Sequence, residues 1–375
     1  GSFSIRSYLA SDGRTLAERM RIVSYDELAH AHRLPLGTWL FTELDQLDAP
    51  RRELAMRLAE RLGAEQAGVR LMNDPRRVLL RTELLRAAHR ARINEHRAWP
   101  AQDVLFGARA RARTADSPTV AAEALRYPVF IRFADRHDGN LSSLLDTPRD
   151  VANGLATLAA SGIRRRELLV VEFTETKDVH GVYRKFSAFN VGGRILAKAL
   201  EQSRDWMVKS ESRIHDRVRA DQELAYCKTN PHEAWIREMF ALARIDYGRI
   251  DYGMLADRPQ LWEINTNPTI GRANRDKPRP PEAIEYRSMI APARAAFYEQ
   301  FEQAWATVDT PTPDSSSIDI ALPSALIRAI ERGARQRRNA ERASSLINVV
   351  LRQPWVRPMT RAVKRALAPL MAVRS

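Results

Sequence analysis

The stretch GRIDYGML (248–255), followed after a short turn by LWEINTNPTI (261–270), decides how the rest of the chain is read. Alternate side chains of a strand share a face. In Tyr247–Leu255 that spacing puts Arg249 and Asp251 on one face, with Ile250 and Tyr252 on the other. In Leu261–Asn265 it puts Glu263 and Asn265 together, with Trp262 and Ile264 opposite. Arg258-Pro259 falls in the turn. If the strands form a hairpin, Arg249, Asp251, Glu263 and Asn265 converge on one polar surface backed by an apolar one. Two carboxylates and an amide oxygen are hard donors that suit Mg²⁺, which takes few protein ligands and completes its shell with phosphates and water. A solvated sheet face with an incidental salt bridge would show the same alternation. The run NTNPT (265–269) directly after Glu263 favours a site, because it makes a sharply turned polar corner beside the pair.

These two runs resemble the metal-binding end of ATP-grasp enzymes. The branch they look most like is the D-alanine–D-alanine ligases, where an Arg-x-Asp strand is followed by Glu-x-Asn-x-x-Pro. The resemblance is firm over about 125–270, loose over 70–125 and absent after 310. It implies an α+β fold in which two α+β subdomains clamp ATP. It also implies that Asp251, Glu263 and Asn265 hold the Mg²⁺ ions bridging the ATP phosphates, while Arg249 contacts the reacting carboxylate or its acyl-phosphate. YPVFIR (127–132) resembles the strand whose last basic residue binds ATP phosphate, so Arg132 takes a role more often filled by lysine; arginine binds phosphate bidentately and is always charged. ADRHDG (134–139) resembles the lid over the phosphates but has a single glycine, Gly139, so Arg136 or His137 would substitute by side chain. VVEFTETKD (170–178) resembles the adenine hinge. By position Glu172 would meet the adenine amino group, the backbone at Phe173 and Thr174 the ring, and Glu175 or Asp178 the ribose hydroxyls. Arg81, in VLLRTELL, sits where the family has an earlier nucleotide-contacting lysine.

Outward from this centre, apolar spacing predicts helices over 50–62, 78–93, 149–161, 232–245 and 284–308, the last with Ile284, Ile290, Phe297, Phe301 and Trp305 on its apolar side. Strands are expected at 127–133, 168–174, 181–191 and 194–200, the last two joined through Gly192-Gly193. The expected organisation is a helical or α/β N-terminal unit (1–100), a central lid subdomain (101–190), a C-terminal subdomain with the metal-binding strands (191–309), a Pro/Ser linker (310–317) and a basic amphipathic helical tail (318–375). Of the adjacent Arg184 and Lys185, one faces the site and the other solvent. Lys209 is either the γ-phosphate lysine or an exposed one. His180, His215 and His232 have no second ligand at metal spacing.

The net charge of +14 is concentrated: residues 315–375 carry 12 Arg/Lys against three acids. A uniformly basic surface would suggest nucleic acid; a basic tail does not, so no specific nucleic-acid partner is expected. The tail is expected either to contact an anionic membrane surface or a protein partner, or to pack back on the body. One cysteine, Cys227, excludes a disulfide framework and a cysteine zinc site, and with no apolar run of about 18 residues the expected location is cytoplasmic. The expected activity is an ATP- and Mg²⁺-dependent ligase that joins a small-molecule carboxylate to an amine through an acyl-phosphate, with Arg249, Arg184 and Lys209 as catalytic candidates and Arg81, Arg132, Lys185 and the hinge residues on the nucleotide. The alternatives are a kinase of the same architecture acting on a small-molecule, lipid or glycan hydroxyl, and a binding module with a degenerate ATP site.

Overall fold

The computed structural model describes residues 5–64, 68–111, 119–136, 139–209, 211–271, 280–308 and 316–351. His137, the arginine-rich loop 272–279, most of the linker and residues 352–375 lie outside this set. The fold is α+β, built around two antiparallel sheets with one helix between them.

The larger sheet has four strands. Tyr183–Val191 and Arg194–Ser203 form a hairpin, Tyr247–Leu255 pairs with the first of these, and Arg258–Asn265 lies at the far edge. One face carries Phe186, Ala188, Ile250, Tyr252 and Ile264 and packs on helices Arg217–Thr229 and Glu233–Ala243 through Tyr226, Ile236, Met239 and Phe240. The opposite face carries Phe189, Val191, Leu196 and Tyr247 and packs on Phe297, Phe301 and Trp305. The smaller sheet sets Val129–Phe133 and Ala98–Pro100 on either side of Leu168–Glu172, and helix Pro148–Ala160 covers its Ile131/Phe133 face.

Helix Arg81–Arg90 is the joint between the sheets. Leu84 and Ala88 enter the core of the large sheet, while Leu85 packs with Leu169 and Val171 of the small one. Each of these is at most 2% exposed on that helix, so it is clamped on two sides. Asn73 pins the N-terminal unit to the same sheet. Its side chain donates to the Phe41 and Tyr247 carbonyls and accepts from the Asp246 and Tyr247 N–H groups.

The expected boundary at 190/191 cuts a hairpin that belongs wholly to the large sheet, and the boundary at 100 cuts away a strand of the small one. The helix expected over 284–308 is two, Pro281–Met289 and Ala291–Val308, with Pro292, which has no N–H to donate, just inside the second. Ile284 is 56% exposed and off the apolar side, whereas Ile290, Phe297, Phe301 and Trp305 are buried. Nor does the basic tail begin as an appendage. Ser317–Asp319 pairs with Arg33–Pro35, and helix Ser324–Leu351 sets Leu326 and Ile330 against Leu54, Leu58 and Leu62 of helix Ala49–Gly63. Arg337 of the same helix pairs with Asp26 and Asp48, which also hold the buried Arg51. Apolar burial drives this return of the chain, with Arg332, Arg335 and Arg338 left outward. Of the two fates expected for the tail, its described first part takes the second.

Ile330→Ala should therefore destabilise the protein by about 3 kcal/mol, the cost of a large-to-small change in a closed core. Urea unfolding should show a lower midpoint with the slope unchanged; a midpoint equal to wild type would show that this helix does not support the N-terminal core.

Candidate active site

The ladder register brings the expected residues together. Arg249 is opposite Asn265, and Asp251 is opposite Glu263. The register then slips by one between Asp251 and Tyr252, so that Trp262 is an extra residue in the edge strand. A bulge of this kind bends the strand and re-aims the side chains beside it. Gly253 makes room for the displaced indole: a Cβ there would come within 2.4 Å of the Trp262 ring.

Arg249 donates from Nε and Nη2 to the two oxygens of Asp251, at 2.7 and 3.0 Å. Burial works against the charge of Arg249, but Asp251 beside it and Glu263 near it outweigh burial and raise its pKa above the ordinary arginine value. Glu263 Oε2 accepts from Arg81 Nη2 at 3.0 Å and from Arg132 Nη2 at 2.5 Å. Arg81 also donates to the carbonyls of Phe133 and Arg136, at 3.1 and 2.7 Å, so it ties the end of the Val129–Phe133 strand to the Arg258–Asn265 strand. Arg132 alternates with the buried Ile131 and Phe133, which turns it away from the small sheet's covered face.

Two carboxylates and an amide face one another across a ladder, each carboxylate neutralised by arginine. Asn265 Oδ1 accepts the Asn267 N–H at 2.8 Å, which closes the polar corner. Among the described residues no three His, Cys, Asp or Glu side chains gather as they would around a fully protein-coordinated metal. This donor set fits a hard cation that shares its shell with phosphate oxygens.

Lys185 joins this face and Arg184 does not. Ser187 pairs with Asp251, and Lys185 lies two residues along on the same side. Its Nζ is 2.5 Å from Glu201, which Arg213 also approaches at 3.6 Å. Burial alone would lower the Lys185 pKa, but Glu201 and Asp251 reverse it. Arg184 falls on the face of Phe186 and pairs with Asp178 at 2.9 Å, so its expected catalytic role is corrected to a contact at the hinge. Lys209 is exposed beside the lid turn: a Cβ at Gly139, where φ is +87°, would lie 3.8 Å from Lys209 Cε.

The hinge residues divide. Glu172 is 1% exposed, and its carboxylate accepts from the Arg97 guanidinium at 2.6 and 3.0 Å and from the Arg97 and Arg126 N–H groups. That carboxylate holds the hinge together, which corrects the expectation that it meets an adenine amino group. The Phe173 N–H donates to the Pro128 carbonyl at 2.9 Å, while the Thr174 hydroxyl is buried without a partner among the described residues. Asp178 accepts the His180 and Val182 N–H groups and so shapes a turn, leaving Glu175, exposed and 3.0 Å from Lys177, as the accessible hinge acid.

Sequence reasoning passed over Trp206, whose ring is 5.2 Å from Phe130 and 5.6 Å from Phe173, an aromatic group at the hinge. A tryptophan in the polar run RDWMVKS was the available signal. It also passed over Glu201, Arg213 and Glu223, which have no local pattern. His232 is half-buried with Nδ1 2.9 Å from the Tyr252 hydroxyl. Burial pushes the Cys227 thiol up to about 12, as for an unreactive cysteine.

No protein-family model matches the sequence, and no curated protein matches it. Solved structures match part of the chain at low identity. The D-alanine–D-alanine ligase of Bacillus anthracis, complexed with ATP, is 12% identical over 66% of this chain and 76% of its own, with a TM-score of 0.37. The Helicobacter pylori D-alanine–D-alanine ligase is 12% identical over 69% of this chain and 68% of its own, at 0.37. The N5-carboxyaminoimidazole synthase of Aspergillus clavatus, in complex with ADP and an aminoimidazole ribonucleotide, is 16% identical over 55% of this chain and 49% of its own, at 0.34.

The ion-pair geometry separates two substitutions of one residue. Glu263→Ala leaves two buried guanidiniums without their carboxylate and should lower stability by about 3–5 kcal/mol. Glu263→Gln keeps an acceptor oxygen and should lose much less. Thermal unfolding of the two variants checks this, and equal losses would show that the carboxylate charge does not hold the sheets together.

Proposed function

We propose that the chain is an ATP-grasp enzyme that uses ATP to join a carboxylate to an amine, releasing ADP and phosphate. One observation carries this reading: the pairing of Arg249 with Asn265 and of Asp251 with Glu263 across one ladder, with Arg132 and Arg81 delivered to the same carboxylate from the other sheet.

Asp251, Glu263 and Asn265 would hold Mg²⁺, which when bound offsets phosphate charge that arginines alone cannot neutralise. Arg132 would turn from Glu263 to a phosphate oxygen, and Lys209, beside Gly139, would close over the terminal phosphate. The nucleotide ring would enter at the hinge, where Phe130, Phe173 and Trp206 supply aromatic surface, the Thr174 hydroxyl a free hydrogen-bonding group and Glu175 an acceptor for ribose. Catalysis is then positioning and electrostatics. A substrate carboxylate oxygen bonds to the γ-phosphorus as the bond to ADP breaks, giving an acyl-phosphate. The amine attacks the acyl carbon, the C–O bond to phosphate breaks, and the departing phosphate takes the proton lost by the amine. Arg249, held in place by Asp251, would stabilise the oxyanion of the tetrahedral adduct. Transfer to a hydroxyl creates no such oxyanion, so Arg249 favours ligation over a kinase.

Calorimetric titration with a non-hydrolysable ATP analogue should give micromolar binding that requires Mg²⁺ and is lost in Glu263→Gln. Metal-independent binding, or full affinity in that variant, would overturn the assignment. Arg249→Met should bind the analogue as wild type does, yet release phosphate in the presence of carboxylate and amine about 10²–10³ times more slowly.

A further inference from the structure

The large sheet carries a second bulge, in the strand Arg194–Ser203 between Ala197 and Ala199, and Lys198 is its extra residue. Lys198 lies two residues after Leu196 and shares its face with Phe189, and the bulge sets Lys198 and Ala199 side by side on that face. There the Nζ lies 3.7 Å from the ring centroid of Phe297 and 4.7 Å from that of Tyr298. No carboxylate pairs with it among the described residues.

The acids nearby are already satisfied. Glu201 is paired with Lys185 and Arg213, and Glu223 with Arg213 and the Tyr286 hydroxyl at 2.6 Å. Cys227 stays a neutral thiol. Arg294 stands three and four residues before Phe297 and Tyr298 and so shares their side of helix Ala291–Val308, and Arg249 lies on the same face of the sheet as Lys198. Aromatic faces hold a cation, but they do not cancel its field. Two cations beyond the reacting centre, with their local acids already paired, make a place where a bound anion would be stabilised.

We propose that Lys198 and Arg294 form a subsite for a second carboxylate of the substrate, one that does not react, so that the acid activated beside Arg249 is a dicarboxylate or a carboxylate-bearing acyl donor. This rests on the ligase reading of the site and names its substrate class. The same groups explain how the lysine is poised. Burial, then Arg294, lowers its pKa to about 7, so the ammonium that would hold the anion forms below that pH and disappears above it.

The test is calorimetry of the full chain with glutarate and with butyrate, each with and without the ATP analogue. Wild type should bind glutarate about tenfold or more tightly than butyrate at a pH below 7. Its glutarate affinity should fall about tenfold for each pH unit above the lysine's pKa. Lys198→Met should lose the preference and its pH dependence while binding the ATP analogue as wild type does, and Lys198→Arg should keep the preference. Equal affinities for the two acids in wild type, an unchanged preference in Lys198→Met, or no detectable glutarate binding would each overturn the subsite. If the ATP analogue fails to bind wild type, the ligase reading falls, while the glutarate preference is still read in the titrations without nucleotide.

Discussion

Glu263 is the carboxylate on which the two sheets agree. It stands on the edge strand of the large sheet, and Arg132, from the small sheet, and Arg81, from the helix between them, donate to one of its oxygens. Two guanidiniums on one carboxylate are net positive, and burial would penalise them without it. On the proposed reading, an anion entering there meets arginines already oriented by Glu263. The joint and the candidate site are therefore one structure. A change at Glu263 cannot be read as a binding effect until its structural cost is removed, which is why glutamine and alanine differ as probes.

Geometry on this sheet is adjusted by bulges. The one at Trp262 sits beside Asp251 and Glu263, and the one at Lys198 sits where the strand passes helix Ala291–Val308. Each breaks the ladder at a single residue, which is left without a partner in the neighbouring strand. The ordinary face of the sheet, with Ile250, Tyr252 and Phe186 packed on two helices, gives these local departures a rigid support. The active face can then carry Arg249, Asp251, Lys185 and Glu201 in a charge-alternating row, most of whose members are neutralised by a neighbour. Lys198 stands apart because it faces aromatic rings and arginines.

Legibility in the sequence followed the range of the interaction. The convergence of Arg249, Asp251, Glu263 and Asn265 could be read from two short runs, since strand alternation and hairpin pairing are local rules. Arg132 could be placed at the end of its strand, but its partner lies 131 residues away, and Arg81 is 182 residues from the same carboxylate. At the hinge, position in a motif suggested that Glu172 faces a ligand. Arg97 and Arg126 claim its carboxylate instead, and neither carries a mark in the sequence that would announce it.

By itself the sequence determined the alternation of polar and apolar faces, the acidic and amide groups of the candidate metal site, and the basic character of the C-terminal region, because each follows from residue type at fixed local spacing. Only the tertiary structure decided that Lys185 rather than Arg184 faces Asp251, that Lys198 leaves its register, and that the chain after 316 returns to complete the N-terminal core. These depend on which distant segment lies opposite, and packing sets that by burying apolar surface from both sides at once.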